Sequence, residues 1–163
     1  MQLSDFLSEK LIVLGLEAND KREAVRTMVA RMASHNAITS PETFLNEVIA
    51  REDIEPTCIG RGVAFPHTRT LCVTRPVIAV GRAAHSIPFT SKESDDVRLI
   101  FVMGTPKDDA NTYLQILARL CRLLRQPSFR ERLLSAATAE EVLDLFNEYE
   151  TSAGEHAAAT MVN

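Results

Sequence analysis

The sequence predicts an α/β fold in which helices cover both faces of one central β-sheet. Three observations predict it: helical periodicity in the first third of the chain, short β-branched apolar runs in the middle, and helical periodicity again in the last third. Helices on either side of a group of strands favour this layered arrangement. A chain of 163 residues is long enough for one core, and we assign residues 1–150 to a single domain. Residues 151–163 have little to bury and are predicted to be a flexible C-terminal tail.

The first third of the chain contains a strand between helical segments. A short N-terminal helix precedes the apolar run from Leu11 to Leu16, which has the length of a strand. The next segment reads as a helix capped by Asn19 or Asp20. A second helix is predicted to begin at Ser40, a good N-cap followed by proline, and to end near Asp53.

The middle and the end of the chain have different patterns. Three short apolar segments between residues 57 and 103 are separated by Gly, Pro, Ser and charged residues, so they are predicted to be strands. Helical spacing returns from Asp109. Two capping boxes, Ser128 with Glu131 and Thr138 with Glu141, predict further helices.

Composition and charge exclude several classes of protein. A net charge of −4 argues against a nucleic-acid surface, and no apolar run approaches the roughly 20 residues of a membrane span. The N-terminal segment lacks the basic start and apolar centre of a secretory signal. The three cysteines are far apart and form no disulfide framework. We therefore expect a cytoplasmic protein that neither binds nucleic acid nor inserts into a membrane.

The sequence also lacks the spacing of a metal or nucleotide site. Its four histidines, at positions 35, 67, 85 and 156, form no H-x-x-x-H or H-E-x-x-H motif and have no cysteine at zinc-site spacing. No Walker motif is present, and GRG is too short for a dinucleotide fingerprint. We expect no metal and no cofactor.

The stretch GRGVAFPHTRT, residues 60–70, is the strongest candidate for a reactive site. Pro66 has a fixed backbone and favours an extended Phe65, so His67 leaves the preceding strand in a defined direction. A neutral imidazole is a nucleophile, and the phosphoryl group it attacks needs positive charge around its oxygens. Arginines near His67 in sequence are suited to this role: Arg51, Arg61 and Arg69. From the residues alone, a reactive His67 and a plain turn at a strand end both stay open.

A family resemblance bears on this choice. The segment NEVIAREDIEPTCIGRGVAFPHTRT resembles the active-site region of the fructose/mannitol-type IIA components of the bacterial phosphoenolpyruvate-dependent phosphotransferase system. That family carries R-E followed by G-I-G-x-G-[IV]-A-[IV]-P-H, and this chain reads Arg51-Glu52 and then CIGRGVAFPH. The resemblance continues through the late helices and covers about residues 3 to 148.

The resemblance implies a fold, an activity and partners. The fold is a mixed central sheet flanked by helices on both faces. His67 matches the phosphorylated histidine, and Arg51 matches the arginine near the phosphoryl group. The implied activity is phosphotransfer through a phosphohistidine, from the histidine-containing phosphocarrier protein to a IIB component.

A regulatory role is the alternative that the resemblance leaves open. The opening LSDFL and the lack of attached IIB or IIC regions are similar to the stand-alone nitrogen-regulatory branch of the family. In that role, the phosphorylation state of His67 controls binding to a kinase, a transporter or a transcription regulator. A homodimer also stays open.

One position departs from the family pattern. Where the family has a second histidine, in an H-L-x-x-L run at the start of the late helix, this chain has Tyr113. A tyrosine hydroxyl donates a hydrogen bond to a phosphoryl oxygen but stays neutral, with a pKa near 10. We therefore expect Arg51, Arg61, Arg69 and Tyr113 to stabilise a phosphoryl group on His67.

Overall fold

The computed structural model describes residues 1–92 and 96–161; the side chains of residue 58 and of residues 155–161 lie outside this description. Within these residues the chain forms six strands, five α-helices and two short 3₁₀ helices. In chain order these are the 3₁₀ helices Leu3–Phe6 and Glu9–Leu11, β1 (Ile12–Leu16), α1 (Lys21–Ser34), α2 (Pro41–Ile54), β2 (Cys58–Gly60), β3 (Val63–Ala64), β4 (His67–Thr70), β5 (Val77–Pro88), β6 (Asp96–Pro106), α3 (Ala110–Leu124), α4 (Pro127–Ser135) and α5 (Ala139–Met161).

The strands form one mixed sheet, as predicted. Its order is β1-β5-β6-β3-β2, and β4 also pairs with β6. β1 is parallel to β5, and both β3 and β4 are parallel to β6, whereas β5 is antiparallel to β6 and β2 is antiparallel to β3. Since β3 and β4 share one neighbour, they run as a nearly continuous strand that is interrupted at Phe65 and Pro66. This arrangement sets His67 opposite Met103.

Helices cover both faces of the sheet, which confirms the predicted layers. Side chains of β6 alternate between two cores, as the period of a strand requires: Leu99, Phe101 and Met103 pack with α3, α4 and α5, and Ile100 and Val102 pack with α1 and α2. All five are almost completely buried. β6 therefore carries the centre of both cores, in agreement with its continuous apolar sequence.

Close packing fixes helix α2 against the sheet. A Cβ atom added to Gly104 of β6 would lie 2.8 Å from a ring carbon of Phe44 in α2. Such an approach is possible only because glycine has no side chain. α2 also packs against β4, so its last turn, which contains Arg51, lies over the strand that begins with His67.

Two helix starts differ from their predicted caps. α4 begins at Pro127, with Gln126 at the N-cap, and not at Ser128; proline is well suited to a first helical position. Ser40 occupies the N-cap of α2 but makes no capping hydrogen bond with its side chain. Asp20 and Thr138 do cap α1 and α5, since they accept from the backbone N–H of Glu23 and Glu141.

The C-terminal segment continues the last helix. The backbone of α5 is helical through Met161, and the flexibility expected for residues 151–163 stays a prediction. Of the helices in the described part of the chain, none combines the length and the apolar character needed to cross a membrane.

Candidate active site

His67 lies at the start of β4, directly after Pro66. Pairing with β6 is interrupted at this proline, between β3 and β4, and continues after it. Pro66 has no N–H, but its carbonyl accepts from the N–H of Met103 at 3.0 Å. Pairing with β6 then resumes at His67. The His67 residue is only 4% exposed, so its imidazole is held among the side chains of the α3 side of the sheet.

Two hydrogen bonds define the chemical state of the imidazole. Nδ1 lies 2.7 Å from the carbonyl oxygen of Phe65, and Nε2 lies 2.7 Å from the hydroxyl oxygen of Tyr113. A carbonyl oxygen only accepts, so Nδ1 carries the proton, and in the neutral ring the Tyr113 hydroxyl donates to the lone pair of Nε2. The nucleophilic atom of His67 is therefore Nε2.

Burial keeps this imidazole neutral. Removal from water lowers the pKa of His67 below its ordinary value of 6.5. The Phe65 carbonyl acts in the opposite direction, because it stabilises the protonated ring, and the positive charge of Arg51 lowers the pKa further. A neutral ring keeps an unprotonated lone pair on Nε2, which here accepts from the Tyr113 hydroxyl. At neutral pH the site therefore holds its histidine in the nucleophilic form.

We expect the free energy of unfolding to fall as the pH drops below 6.5. The unfolded chain protonates His67 near that value, while the native chain keeps it neutral down to its lowered pKa. Between these two pKa values the unfolded state binds more protons, so stability rises with pH and is lost as pH falls. Urea unfolding followed by circular dichroism at a series of pH values measures the effect.

His67→Gln should flatten this pH dependence, because the buried titrating group is gone. The control, His85→Gln, removes an exposed histidine and should retain the decline of the parent chain. An undiminished decline in His67→Gln would show that the buried imidazole is not its source.

Cationic side chains line a cavity beside the imidazole of His67. A cavity of about 480 Å³ opens beside the ring, and none of the described residues that line it carries a carboxylate; these residues are Arg51, His67, Thr68, Arg69, Lys107, Ala110, Tyr113 and Leu114. Arg51 reaches it from the last turn of α2, and the Arg69 guanidinium lies 6.0 Å from the centre of the Tyr113 ring. Its three cationic side chains make this cavity suited to an anion with several oxygens.

Lys107 is the cation that sequence reasoning missed. Its backbone N–H donates to the carbonyl of Thr70 at 3.1 Å, so the ends of β4 and β6 lie side by side. The signal was present in the sequence, because Lys107 lies four residues after Met103, where the buried apolar run of β6 ends. Polar residues at the carboxyl ends of parallel strands gather at one edge of a sheet, where ligands bind.

Arg61 does not join this cavity. Its guanidinium donates to the carbonyl of Arg125 at 3.3 Å, one residue past the end of α3. Tyr113 lies twelve residues earlier on that helix, or about 18 Å away at 1.5 Å per residue. Arg61 lies in the turn between β2 and β3, and its φ of +60° and those of the flanking Gly60 and Gly62 are all positive. These glycines therefore shape a tight turn remote from His67.

Glu52, the partner of Arg51 in the R-E motif, has a structural role. Its carboxylate is completely buried and accepts from the backbone N–H of Thr57 at 3.2 Å and from the Thr57 hydroxyl. These bonds tie the end of α2 to the segment that enters β2. Glu52 thereby holds the helix turn that presents Arg51.

Among residues 1–92 and 96–161, no three His, Cys, Asp or Glu side chains lie together in a way that could hold a metal ion.

Known proteins resemble this chain in both sequence and fold. The family described as "Phosphoenolpyruvate-dependent sugar phosphotransferase system, EIIA 2" matches residues 5–149. The fructose-specific EIIABC component of Bacillus subtilis is 27% identical over 150 residues, which cover 92% of this chain and 24% of that protein. The chain thus spans about a quarter of the length of this relative.

Two solved structures superimpose over most of the chain. The nitrogen regulatory protein IIA-Ntr of Neisseria meningitidis has a TM-score of 0.81 at 27% identity, and the match covers 88% of this chain and 98% of that one. The IIA mannitol enzyme of Escherichia coli, in a complex with its phosphorylated IIB enzyme, has a TM-score of 0.75 at 25% identity, covering 87% and 97%. With a family match over nearly its whole length, this chain belongs to the EIIA type 2 family of the phosphoenolpyruvate-dependent sugar phosphotransferase system.

Proposed function

We propose that this protein is a cytoplasmic phosphoryl carrier: His67 accepts a phosphoryl group from the histidine-containing phosphocarrier protein and passes it to a IIB component. One observation carries the proposal. A neutral, buried imidazole lines a cavity with three cationic side chains; its Nε2 accepts the hydrogen bond of the Tyr113 hydroxyl, which also lines the cavity, and its Nδ1 is tied to the Phe65 carbonyl. Membership of a phosphotransferase family supports the same chemistry.

The transfer needs no cofactor, because the bond that forms is matched by a bond that breaks. Nε2 of His67 attacks the phosphorus in line, the new N–P bond forms as the bond from phosphorus to the donor's imidazole breaks, and the donor leaves with that electron pair. His67 keeps its Nδ1 proton, so the phosphorylated ring is cationic. The hydrogen bond to the Phe65 carbonyl stabilises this charge. Discharge to the acceptor takes the same path in reverse.

The surrounding cations stabilise the phosphoryl group in transit. Charge on a loose phosphoryl transition state spreads over three equatorial oxygens, and preorganised positive groups lower its energy without reorganisation. Arg51, Arg69 and Lys107 line the cavity from different elements and fit this role. Arg61 is not part of the proposal.

An exposed apolar side chain beside the cavity supplies a docking point for partner proteins. Leu114 lines the cavity and is 59% exposed, and Leu71, which follows β4, is 83% exposed. Large apolar groups exposed around a polar site are typical of transient protein interfaces. A partner that packs against Leu114 brings its own reactive group to the mouth of the cavity.

A regulatory role is the second candidate, and the likeness to a nitrogen regulatory IIA-Ntr structure favours it. Phosphorylation adds up to two negative charges to a cationic patch, which is enough to form or disrupt a partner surface. Carrier and regulator share the phosphorylated His67 and differ in the fate of its phosphoryl group.

Phosphoryl discharge separates the two roles. The protein is first phosphorylated with phosphoenolpyruvate and the general phosphotransferase components, and intact mass reports one added phosphoryl group. Purified IIB domains are then added. Loss of the phosphoryl group within seconds to a IIB domain supports the carrier, whereas a phosphoryl group that persists against every IIB tested, with binding that depends on it, supports the regulator. No mass gain in the first step would overturn both.

Removal of the Tyr113 hydroxyl should make phosphorylation of His67 less favourable. In the free protein this hydroxyl donates to Nε2, and in the proposed phosphorylated state it donates to an anionic oxygen, which is the stronger bond. Tyr113→Phe should therefore lower the equilibrium ratio of phosphorylated to free protein by about tenfold, given roughly 1.5 kcal/mol for the difference. The ratio is measured by intact mass after exchange with the phosphorylated carrier protein.

The matched control is Tyr149→Phe, because the Tyr149 hydroxyl bonds Ser128 on helix α4, outside the cavity. It should leave the ratio unchanged. An equal ratio in Tyr113→Phe and the parent chain would mean that the hydroxyl gives the phosphoryl group no net stabilisation.

A further inference from the structure

Helix α3 has an exposed face of unusual charge. Between residues 110 and 130 the sequence contains four arginines and no acidic residue, although acidic residues outnumber basic ones in the whole chain, 22 to 18. Arg119, Arg122 and Arg125 are exposed, whereas Ile116 and Leu120 are buried on the opposite side of the helix. Positive charge is thus concentrated on one face of an otherwise acidic protein.

The fold does not neutralise this face. Ion pairs among the described residues join Lys21 to Asp53 and Arg132 to Glu148, and no described carboxylate pairs with an arginine of α3. The Arg119 guanidinium donates to the carbonyl of Met1 at 2.6 Å. We call the group formed by Arg61, Arg119, Arg122 and Arg125 the α3 basic face, since Arg61 joins it through the Arg125 carbonyl.

Arginines at this spacing repel one another. Arg119 and Arg122, like Arg122 and Arg125, are three positions apart on the helix, where side chains are neighbours, and like charges at such positions destabilise a helix. An anionic group placed against the face relieves this repulsion. A carboxylate is well suited, because a planar guanidinium binds it with two parallel hydrogen bonds.

We propose that the α3 basic face docks an acidic segment of a partner protein. Neighbouring arginines from Arg119 to Arg125 are three residues, or about 4.5 Å, apart along the helix, which is close to the rise of about 5.4 Å per turn of an acidic helix with carboxylates on successive turns. A long polyanion such as RNA would extend beyond the four guanidinium groups onto a surface whose overall charge is negative. A short acidic segment engages the basic face alone.

This docking surface does not rest on the proposed phosphoryl transfer. The His67 cavity is lined by Tyr113 and Leu114 from the first turn of α3, whereas the basic face begins at Arg119. Variants of the basic face therefore leave the reactive site intact, and the two proposals fail separately.

Binding of a labelled peptide tests the proposal. The probe is a fluorescein-labelled helical peptide with glutamates at three- and four-residue spacing, and its counterpart has glutamine at those positions. We expect the full-length protein to bind the glutamate peptide and the double variant Arg119→Glu/Arg122→Glu to bind it at least about tenfold more weakly. Added salt should weaken binding to the parent chain, because exposed charges are screened.

A matched control separates the location of the charge from its amount. Arg22→Glu/Arg26→Glu makes the same change in net charge at exposed positions of α1, on the other side of the sheet. It should bind like the parent chain. Circular dichroism and phosphorylation of His67 verify that each variant is folded.

Several results would overturn the proposal. One is that the α1 control, Arg22→Glu/Arg26→Glu, binds the glutamate peptide as weakly as the α3 double variant does, which would make net charge the cause. Another is that the parent chain binds the glutamate and glutamine peptides with equal affinity. Tighter binding of a polyuridylate oligonucleotide, or of phosphatidylcholine vesicles containing phosphatidylserine, would assign the face to RNA or to a membrane. Self-association of the parent chain that Arg119→Glu/Arg122→Glu abolishes would make a second copy of the chain the occupant.

Discussion

Replacement of His67 by alanine should abolish phosphoryl uptake from the phosphocarrier protein. His67 lines the cation-rich cavity and carries its available lone pair on Nε2, which accepts from the Tyr113 hydroxyl; alanine offers no nucleophile. The expected loss is complete, to the level of a reaction without the donor. Intact mass after incubation with phosphoenolpyruvate and the general components measures it, and peptide mapping locates the modified residue in the parent chain.

Two further variants keep this result interpretable. His67→Gln retains a polar side chain of similar size without a nucleophilic nitrogen, so loss of uptake by a folded His67→Gln excludes a general failure to fold. His35→Ala removes an exposed histidine and should be phosphorylated like the parent. Continued uptake by His67→Ala would place the phosphoryl group on another residue and refute the proposed site.

Replacement of Arg51 by glutamine should slow phosphoryl uptake by about 10- to 100-fold. A charge-assisted hydrogen bond to a phosphoryl oxygen contributes roughly 1.5–3 kcal/mol, and each 1.4 kcal/mol is a factor of ten. Arg51 lines the cavity, and its charge lowers the pKa of His67. Stopped-flow or rapid-quench transfer from the phosphorylated carrier protein gives the rate constant.

Arg61→Gln is the matched control for Arg51→Gln. The two arginines are ten residues apart in sequence and precede the same histidine, but Arg61 contacts the far end of α3. Its replacement should leave the transfer rate constant within about twofold, since surface changes are usually small. An equal slowing in both variants would mean that overall positive charge, and not the cavity geometry, controls transfer.

Local sequence patterns predicted most of the fold. The helical periods predicted α1, α2 and the late helices, the last of the three apolar segments lies within β6, and Asp20 and Thr138 cap their helices. The predicted cap at Ser128 was wrong because Pro127 begins α4. Cap and period signals involve residues within four positions of one another, so they can be identified without knowledge of the tertiary fold.

The residues of the candidate site also include some that the sequence predicted and some that it did not. His67 was selected from its proline and its family motif, and Arg51 and Arg69 line the same cavity. Arg61 is also close to His67 in sequence, but it lies elsewhere in the fold. Lys107 is far from His67 in sequence, and yet it lines the cavity. Nearness in sequence does not determine nearness in space once a chain turns, and the turn at Gly60–Gly62 directs Arg61 away.

The layered α/β fold could be inferred from sequence, and His67 could be selected as the candidate reactive histidine, because periodicity, caps and a Pro-His motif are short-range features. The chemical state of that histidine depends on the tertiary structure. The hydrogen bond between Nε2 of His67 and the Tyr113 hydroxyl joins residues 46 positions apart. It requires the parallel pairing of β4 with β6 and the packing of α3 against the face of the sheet that carries Met103. Burial, which lowers the pKa of His67, likewise comes from residues spread over the whole chain, so no local pattern can specify it.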